Sequence, residues 1–108
     1  MLQAISDPFL AQSRDAAQFL KLLANEQRLL ILCHLMAEGE MSVGALGDRL
    51  NLSASALSQH LAKLRRLELV AFRREAQTLY YRLVDERAER TVDLMADLFC
   101  PDIKKEVS

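Results

Sequence analysis

The sequence predicts a mainly α-helical domain completed by one β-hairpin, and three observations carry that prediction. Apolar residues recur at three- and four-residue spacing through most of the chain, in segments opened by Asn, Ser or Asp. Only between Leu69 and Leu83 does the pattern change to the alternation of strands. A length of 108 residues leaves room for a single hydrophobic core, so residues 1–108 read as one domain.

Asp7-Pro8 resembles an N-cap followed by Pro in the first turn, and the helix it opens carries Ala16, Phe19, Leu20 and Leu23 as its apolar set. Asn25 can cap a second helix, in which Leu29, Leu32 and Met36 repeat and Gly39 is the stop. Its Leu29-Leu30-Ile31-Leu32-Cys33 run is apolar on most sides, which puts this helix at the centre of the domain. Ser42 caps a short third helix with Val43, Leu46 and Leu50 inward. After the Asn51-Leu52 turn, Ser53 caps a fourth that reaches about Leu67. Leu69–Glu75 and Thr78–Leu83 read as the two strands of a hairpin. Its turn at Ala76-Gln77 lacks the Asn-Gly or Asp-Gly of a tight two-residue turn, so a looser loop is expected. Asp85 caps a fifth helix through about Phe99, with Ala88, Val92, Met95 and Phe99 on one face and Pro101 closing it.

The composition narrows the class of protein. Hydrophobic residues make up 51% and charged residues 27%, the balance of a globular rather than a disordered chain. No apolar run approaches a membrane span, and Met1 to Asp7 lacks the basic-then-apolar pattern of a secretory leader. Two cysteines are too few for a disulfide scaffold, so a cytoplasmic protein with reduced thiols is expected.

Net charge is −1, but its distribution is uneven. Residues 49–82 hold seven cations and two anions, a local net of +5, while the remainder nets −6. A basic middle between acidic ends is the layout of a domain with one phosphate-facing surface. The fourth helix lies in that segment. Leu57, Leu61 and Leu64 form its apolar stripe, and Ser55, Ser58, Gln59, Ala62, Lys63 and Arg66 lie opposite. Two short helices joined by a tight turn are the helix-turn-helix plan, whose second helix enters the major groove of DNA. Ser and Gln can bond base edges; Lys and Arg reach phosphate or guanine. The candidate DNA contacts are therefore Ser53, Ser55, Ser58, Gln59, His60, Lys63 and Arg66 of the helix, with Arg73 and Arg74 of the wing. His60, at the border of the apolar stripe, suits a packing or phosphate-contact role. Met36, Met41 and Met95 suit core or dimer contacts.

The segment from Ser53-Ala54-Ser55 through Ser58-Gln59-His60-Leu61-Ala62-Lys63-Leu64-Arg65, followed by Leu69-Val70 and the Arg73-Arg74-Glu75…Tyr80-Tyr81 wing, resembles the ArsR/SmtB family of winged helix-turn-helix repressors. The likeness runs from Leu23-Ala24-Asn25-Glu26-Gln27-Arg28-Leu29 to Cys100. It implies about five helices with a two-stranded wing, and a homodimer formed by the first and last helices. It also implies binding to double-stranded DNA at an inverted-repeat operator. One departure is Glu68, where the family usually has Gly at the end of the recognition helix.

Many members of that family sense metals, which requires converging Cys, His or carboxylate ligands. The stretch matching one such site, Ser42-Val43-Gly44-Ala45-Leu46-Gly47-Asp48, has no thiol, and the last helix has Asp93 and Asp97 but no histidine. No metal and no cofactor is expected. What remains is Cys33 in the central helix and Cys100 at the end of the last. A cysteine in an apolar helix can be a small core residue with no chemistry, whereas one beside Pro101 at a helix end is better placed to react. His34 reads as a flanking polar residue. The pair, with Ser42-Val43-Gly44 and Glu75-Ala76-Gln77-Thr78, is similar to the BigR/SqrR/HlyU branch of the family. That resemblance implies a Cys33/Cys100 dithiol that senses persulfides and related reactive sulfur and releases DNA when bridged. The alternatives are a general thiol- or peroxide-responsive regulator, a metal-responsive one, and, in a different class, a small thiol enzyme. No phosphate loop, nucleophile elbow, Cys-x-x-Cys or acid/base dyad supports an enzyme.

Overall fold

Four of the helices begin where a short polar side chain meets the free amides of the first turn. In the computed structural model, which describes residues 7–100, Asn25 accepts from the Arg28 amide at 3.0 Å and Ser42 from Ala45 at 3.1 Å. Ser53 accepts from Ala56 at 3.1 Å and Asp85 from Ala88 at 3.0 Å. Each bond satisfies one donor that an isolated helix would leave orphaned. They open α2 (Glu26–Glu38), α3 (Val43–Leu50), α4 (Ala54–Arg66) and α5 (Glu86–Phe99). Ahead of them α1 (Asp7–Leu23) starts with Pro8 in its first turn, where no intrahelical amide is needed. Gly39, at φ 85°, ends α2 and returns its amide to the Leu35 carbonyl at 2.8 Å.

α2 is the central element, as its all-round apolar sequence predicts. It packs against α1, α3, α4, α5 and two strands. Ile31, Leu32 and Leu35 are buried there with Leu46 of α3, the Leu57, Leu61 and Leu64 stripe of α4, and Ala88 and Val92 of α5. Each buried leucine contributes about 1.5–3 kcal/mol relative to exposure. The stripe therefore fixes which face of α4 is left outward.

The wing differs from expectation in two ways. It is a three-stranded antiparallel sheet rather than a two-stranded one, formed by β1 (Met41–Ser42), β2 (Val70–Glu75) and β3 (Thr78–Leu83) in the order β1-β3-β2. Met41 pairs with Tyr81 and Ser42 with Tyr80. Two residues are too few to show any periodicity, so β1 leaves no trace in the sequence. The second correction concerns the turn. Glu75 pairs with Thr78, so only Ala76 and Gln77 connect the strands, and the expected looser loop is a tight turn. Six paired positions between β2 and β3 set the register and draw Ala76 into positive φ, at 56°. Positive φ at the first of two turn residues is the sign pattern of a type II′ turn, a position that glycine fills at lower cost.

Glu68 takes the conformation that glycine usually supplies. Its φ is 60°, its amide donates to the Arg65 carbonyl at 2.8 Å, and the next amide, of Leu69, donates to Leu64 at 3.0 Å. These two bonds make a complete Schellman stop, with Leu64 and Leu69 both fully buried. α4 thus ends in a defined way despite the residue type.

The expected face of α5 splits. Ala88 and Val92 are fully buried and Met95 is half-buried, but Phe99 is 76% exposed, along with Leu94 and Leu98. α1 likewise buries Leu23 and exposes Phe9, Leu10 and Leu20. Pro101 lies outside the described residues. Among the described residues, no helix is long and apolar enough to cross a membrane.

Candidate nucleic-acid interface and thiol pair

With its leucine stripe buried, α4 turns Ser55, Ser58, Gln59, Ala62, Lys63 and Arg66 outward, all exposed. Ser53 is exposed at its N-terminus. Its hydroxyl oxygen accepts from the Ala56 amide, which leaves the hydroxyl proton free to donate. Between α4 and the hairpin runs an open cleft of about 440 Å³, lined by Ser58, Ala62 and Arg65 on one side and Gln77, Thr78 and Tyr81 on the other. Arg65 is turned towards the wing: its guanidinium lies 4.3 Å over the Phe72 ring, which packs 5.4 Å from Tyr81. A stacked arginine of this kind braces the sheet against the helix.

The two wing arginines are not equivalent. Arg73 donates through Nε and Nη2 to both carboxylate oxygens of Glu40, at 3.0 and 2.9 Å, and through Nη1 to Glu75 at 2.7 Å. Its guanidinium also sits 4.5 Å over the Tyr80 ring. The bond from Arg73 holds the Glu40 carboxyl below the usual range, with the charges of Arg73 and Arg82 adding to it, and the two carboxylates hold Arg73 firmly protonated. Arg74 is exposed and has no carboxylate partner among the described residues.

His60 is half-buried and turns its Nδ1 edge inward, towards a neighbour that the sequence reading does not single out. Arg28 of α2 is 9% exposed, the buried charged side chain of the core. Its Nε donates to the Leu22 carbonyl at the end of α1, and its Nη1 lies 3.5 Å from His60 Nδ1. Burial first, then the charges of Arg28 and Lys63, keeps the His60 pKa below the ordinary histidine range. A signal for Arg28 does exist in the sequence: it falls one turn before Ile31 and Leu32, on the stripe that α2 buries.

Cys33 lies on α2, and Cys100 directly follows α5, the helix that packs against α2. Cys33 is half-buried, Cys100 is exposed directly after α5, and both are free. Burial pushes the Cys33 thiol pKa up from its ordinary value, and negative charge on Cys100 pushes it further. His34, next to Cys33 in sequence, is half-buried. Among the described residues, no group of three or more His, Cys, Asp or Glu side chains is placed to hold a metal ion.

Comparison with known proteins supplies the context for this geometry. Residues 25–71, from the cap of α2 into β2, match the family described as "Bacterial regulatory protein, arsR family". The chain is 51% identical over 88 residues to the transcriptional activator HlyU of Vibrio cholerae serotype O1, covering 82% of this chain and 81% of that protein. It is 39% identical over 89 residues to the biofilm growth-associated repressor of Agrobacterium fabrum, covering 82% and 75% respectively. The fold superposes on the structure of reduced HlyU from Vibrio cholerae with a TM-score of 0.82 at 47% identity, over 88% of this chain and 99% of that one.

Proposed function

The chain belongs to the arsR family of bacterial regulatory proteins, and from that premise we propose a cytoplasmic DNA-binding repressor whose operator complex is released when reactive sulfur oxidises Cys33 and Cys100. It is a transcriptional regulator of the winged-helix kind and not an enzyme. Repression is the output described for the biofilm growth-associated repressor, and it is the output proposed here. Operator contact is assigned to the exposed face of α4 (Ser53, Ser55, Ser58, Gln59, Lys63 and Arg66), with His60 at its edge. Arg74 contributes a phosphate contact from the wing, and Arg73 one only when its carboxylate clamp opens.

The apolar surface left on α1 and α5 supports a homodimer. Phe9 and Leu20 on the first helix, and Leu94, Leu98 and Phe99 on the last, are more than half exposed in the single chain. A two-fold dimer would present two recognition helices to an inverted repeat with half-sites about one DNA turn (roughly 10 bp) apart.

The observation that supports the sensing reading is that α2, which holds Cys33, packs against α5, which Cys100 directly follows, with both thiols free, one shielded and one open. The open Cys100 attacks the sulfane sulfur of a persulfide, taking that sulfur and releasing the donor thiol. Cys33 then attacks the Cys100 sulfur of the resulting persulfide and expels hydrosulfide. Two thiols lose two electrons and one sulfane sulfur gains them. If a second donor molecule converts Cys33 as well, the two cysteine persulfides can condense to a trisulfide with loss of one hydrosulfide, which spans a wider gap than a simple disulfide.

The test is operator binding by the reduced and the persulfide-treated protein, followed by intact mass. The reduced protein is expected to bind and the bridged protein to bind at least tenfold more weakly, a difference of about 1.4 kcal/mol. Cys33→Ser and Cys100→Ser should each bind DNA and ignore the persulfide. A single mutant that still releases DNA normally removes the dithiol switch, and an equal response to hydrogen peroxide makes the protein a general thiol sensor.

A further inference from the structure

Arg28 is a buried cation whose partners are a main-chain carbonyl and an imidazole, with no carboxylate bonded to it among the described residues. A guanidinium has only donors to offer. Its approach to His60 Nδ1 is therefore a bond only if that nitrogen is unprotonated. Imidazolium would set N–H against N–H and add a second positive charge beside Arg28. Neutral imidazole with its proton on Nδ1 would oppose two donors as well. One form fits: a neutral ring with Nδ1 accepting and the proton on Nε2.

The surroundings favour the same form. Among the described residues, the charged groups facing His60 are Arg28 from α2 and Lys63 from α4 itself, both cationic, while α1 contributes the Leu22 carbonyl that anchors Arg28. His60 is half-buried and sits between Gln59 and the Lys63 turn of the outward face. The nitrogen that Arg28 leaves unengaged is Nε2.

We propose that Arg28 is a positioning residue that locks His60 as the neutral Nε2–H tautomer, so that His60 serves the recognition helix as a fixed hydrogen-bond donor to an acceptor on a base edge, not as a phosphate-binding cation. This rests on the DNA-binding reading above and assigns a chemical role to one position within it. Guanine O6 and N7 and thymine O4 are the major-groove acceptors such a donor can use. A neutral donor adds nothing to counterion release, so His60 supports sequence preference without contributing to the salt dependence.

The chain has only two histidines, which makes the tautomer directly readable. Long-range proton–nitrogen NMR of the free, reduced protein should show His60 as Nε2–H with a pKa below the ordinary histidine range. In Arg28→Gln it should become a tautomer mixture that titrates closer to the ordinary range. Operator affinity of the wild type should be flat from pH 6.5 to 8. His60→Gln, which keeps an N–H donor near the Nε2 position, should hold affinity within about threefold. His60→Asn, whose donor cannot reach there, should lose tenfold or more on the operator and almost nothing on unrelated DNA. Melting temperatures of the two His60 variants separate misfolding from lost contact. An Nδ1–H or charged His60 in the wild type, or equal losses for Gln and Asn, overturns the proposal. A fixed Nε2–H tautomer in a protein that binds no duplex overturns the DNA-binding reading instead.

Discussion

Glu40 holds Arg73 in a two-pronged grip, with hydrogen bonds of 2.9 and 3.0 Å across thirty-three residues of sequence. Glu75 closes on the same guanidinium from the strand end at 2.7 Å. The most obvious cation of the wing is thus neutralised within the protein, whereas Arg74 has no carboxylate bonded to it among the described residues.

Arg74→Ala is expected to weaken binding to every duplex and to lower the salt slope by about 0.9, the value for one phosphate contact. Arg73→Ala should change neither by a comparable amount. Glu40→Gln should raise affinity a few-fold and steepen the salt dependence, because it loosens one side of the clamp. Titrations at three salt concentrations decide the matter, and equal losses for the two alanine variants would mean that the clamp opens on DNA. Since Arg73 holds the Glu40 pKa down, the clamp persists above the ordinary glutamate range and is lost only as pH falls through the lowered value.

Glu68→Gly should stabilise the protein. Glutamate at φ 60° occupies a region that costs an L-residue roughly 1–2 kcal/mol and costs glycine almost nothing, and the Schellman bonds require that region. Against this runs the greater backbone freedom of glycine in the unfolded chain, so a net gain of about 0.5–1 kcal/mol is expected. Thermal or urea unfolding reads it. A loss of stability would show that the Glu68 side chain contributes more than its backbone strain costs.

Thiol reactivity should be unequal. Burial raises the Cys33 pKa, so its thiolate is scarce at pH 7.5, whereas Cys100 is exposed. Alkylation by iodoacetamide, followed by peptide mass, should label Cys100 at least tenfold faster. In Cys100→Ser the Cys33 pKa should move part of the way down, since burial, the larger cause, remains. Equal labelling rates would contradict the order of attack proposed for the persulfide.

Leu98→Asp should yield a folded monomer. Leu98 is 62% exposed in the single chain, so the substitution leaves the core intact, yet it places a charge in the apolar surface offered by α5. Sedimentation should fall to the monomer mass with helical content unchanged, and operator affinity should drop by tenfold or more. A dimer that survives Leu98→Asp with unaltered affinity places the subunit contact elsewhere.

Much of this fold was legible in the sequence because its signals are local. Asn25, Ser42, Ser53 and Asp85 each bond an amide three residues on, a relationship visible in the order of residues. The α4 stripe follows from helical geometry alone, and the outward face is what the stripe leaves. Features set by distant partners were not legible. The Ala76 turn is tight because a paired ladder forces it, against the preference of its own residues. Arg73 reads as a free cation until Glu40 is brought beside it. Arg28 reads as one charge near a helix start until its partners on α1 and α4 are seen. The thiols were paired in the sequence only through a family resemblance, since residues in α2 and after α5 share no local pattern.

Ser42 belongs to two elements at once. It pairs with Tyr80 as the end of β1, and its hydroxyl caps α3. No hinge therefore separates the wing from the helix pair that carries the recognition surface. Bending one relative to the other would break a ladder pair and a cap in the same step. In the proposed dimer each subunit would meet its half-site as a single stiff reading head, and misfit between operators would have to be absorbed at the joint between subunits or by the DNA itself. Operators that differ in half-site content should then be discriminated by the subunit, and those that differ only in half-site separation by the joint. Selection could tune the two properties independently.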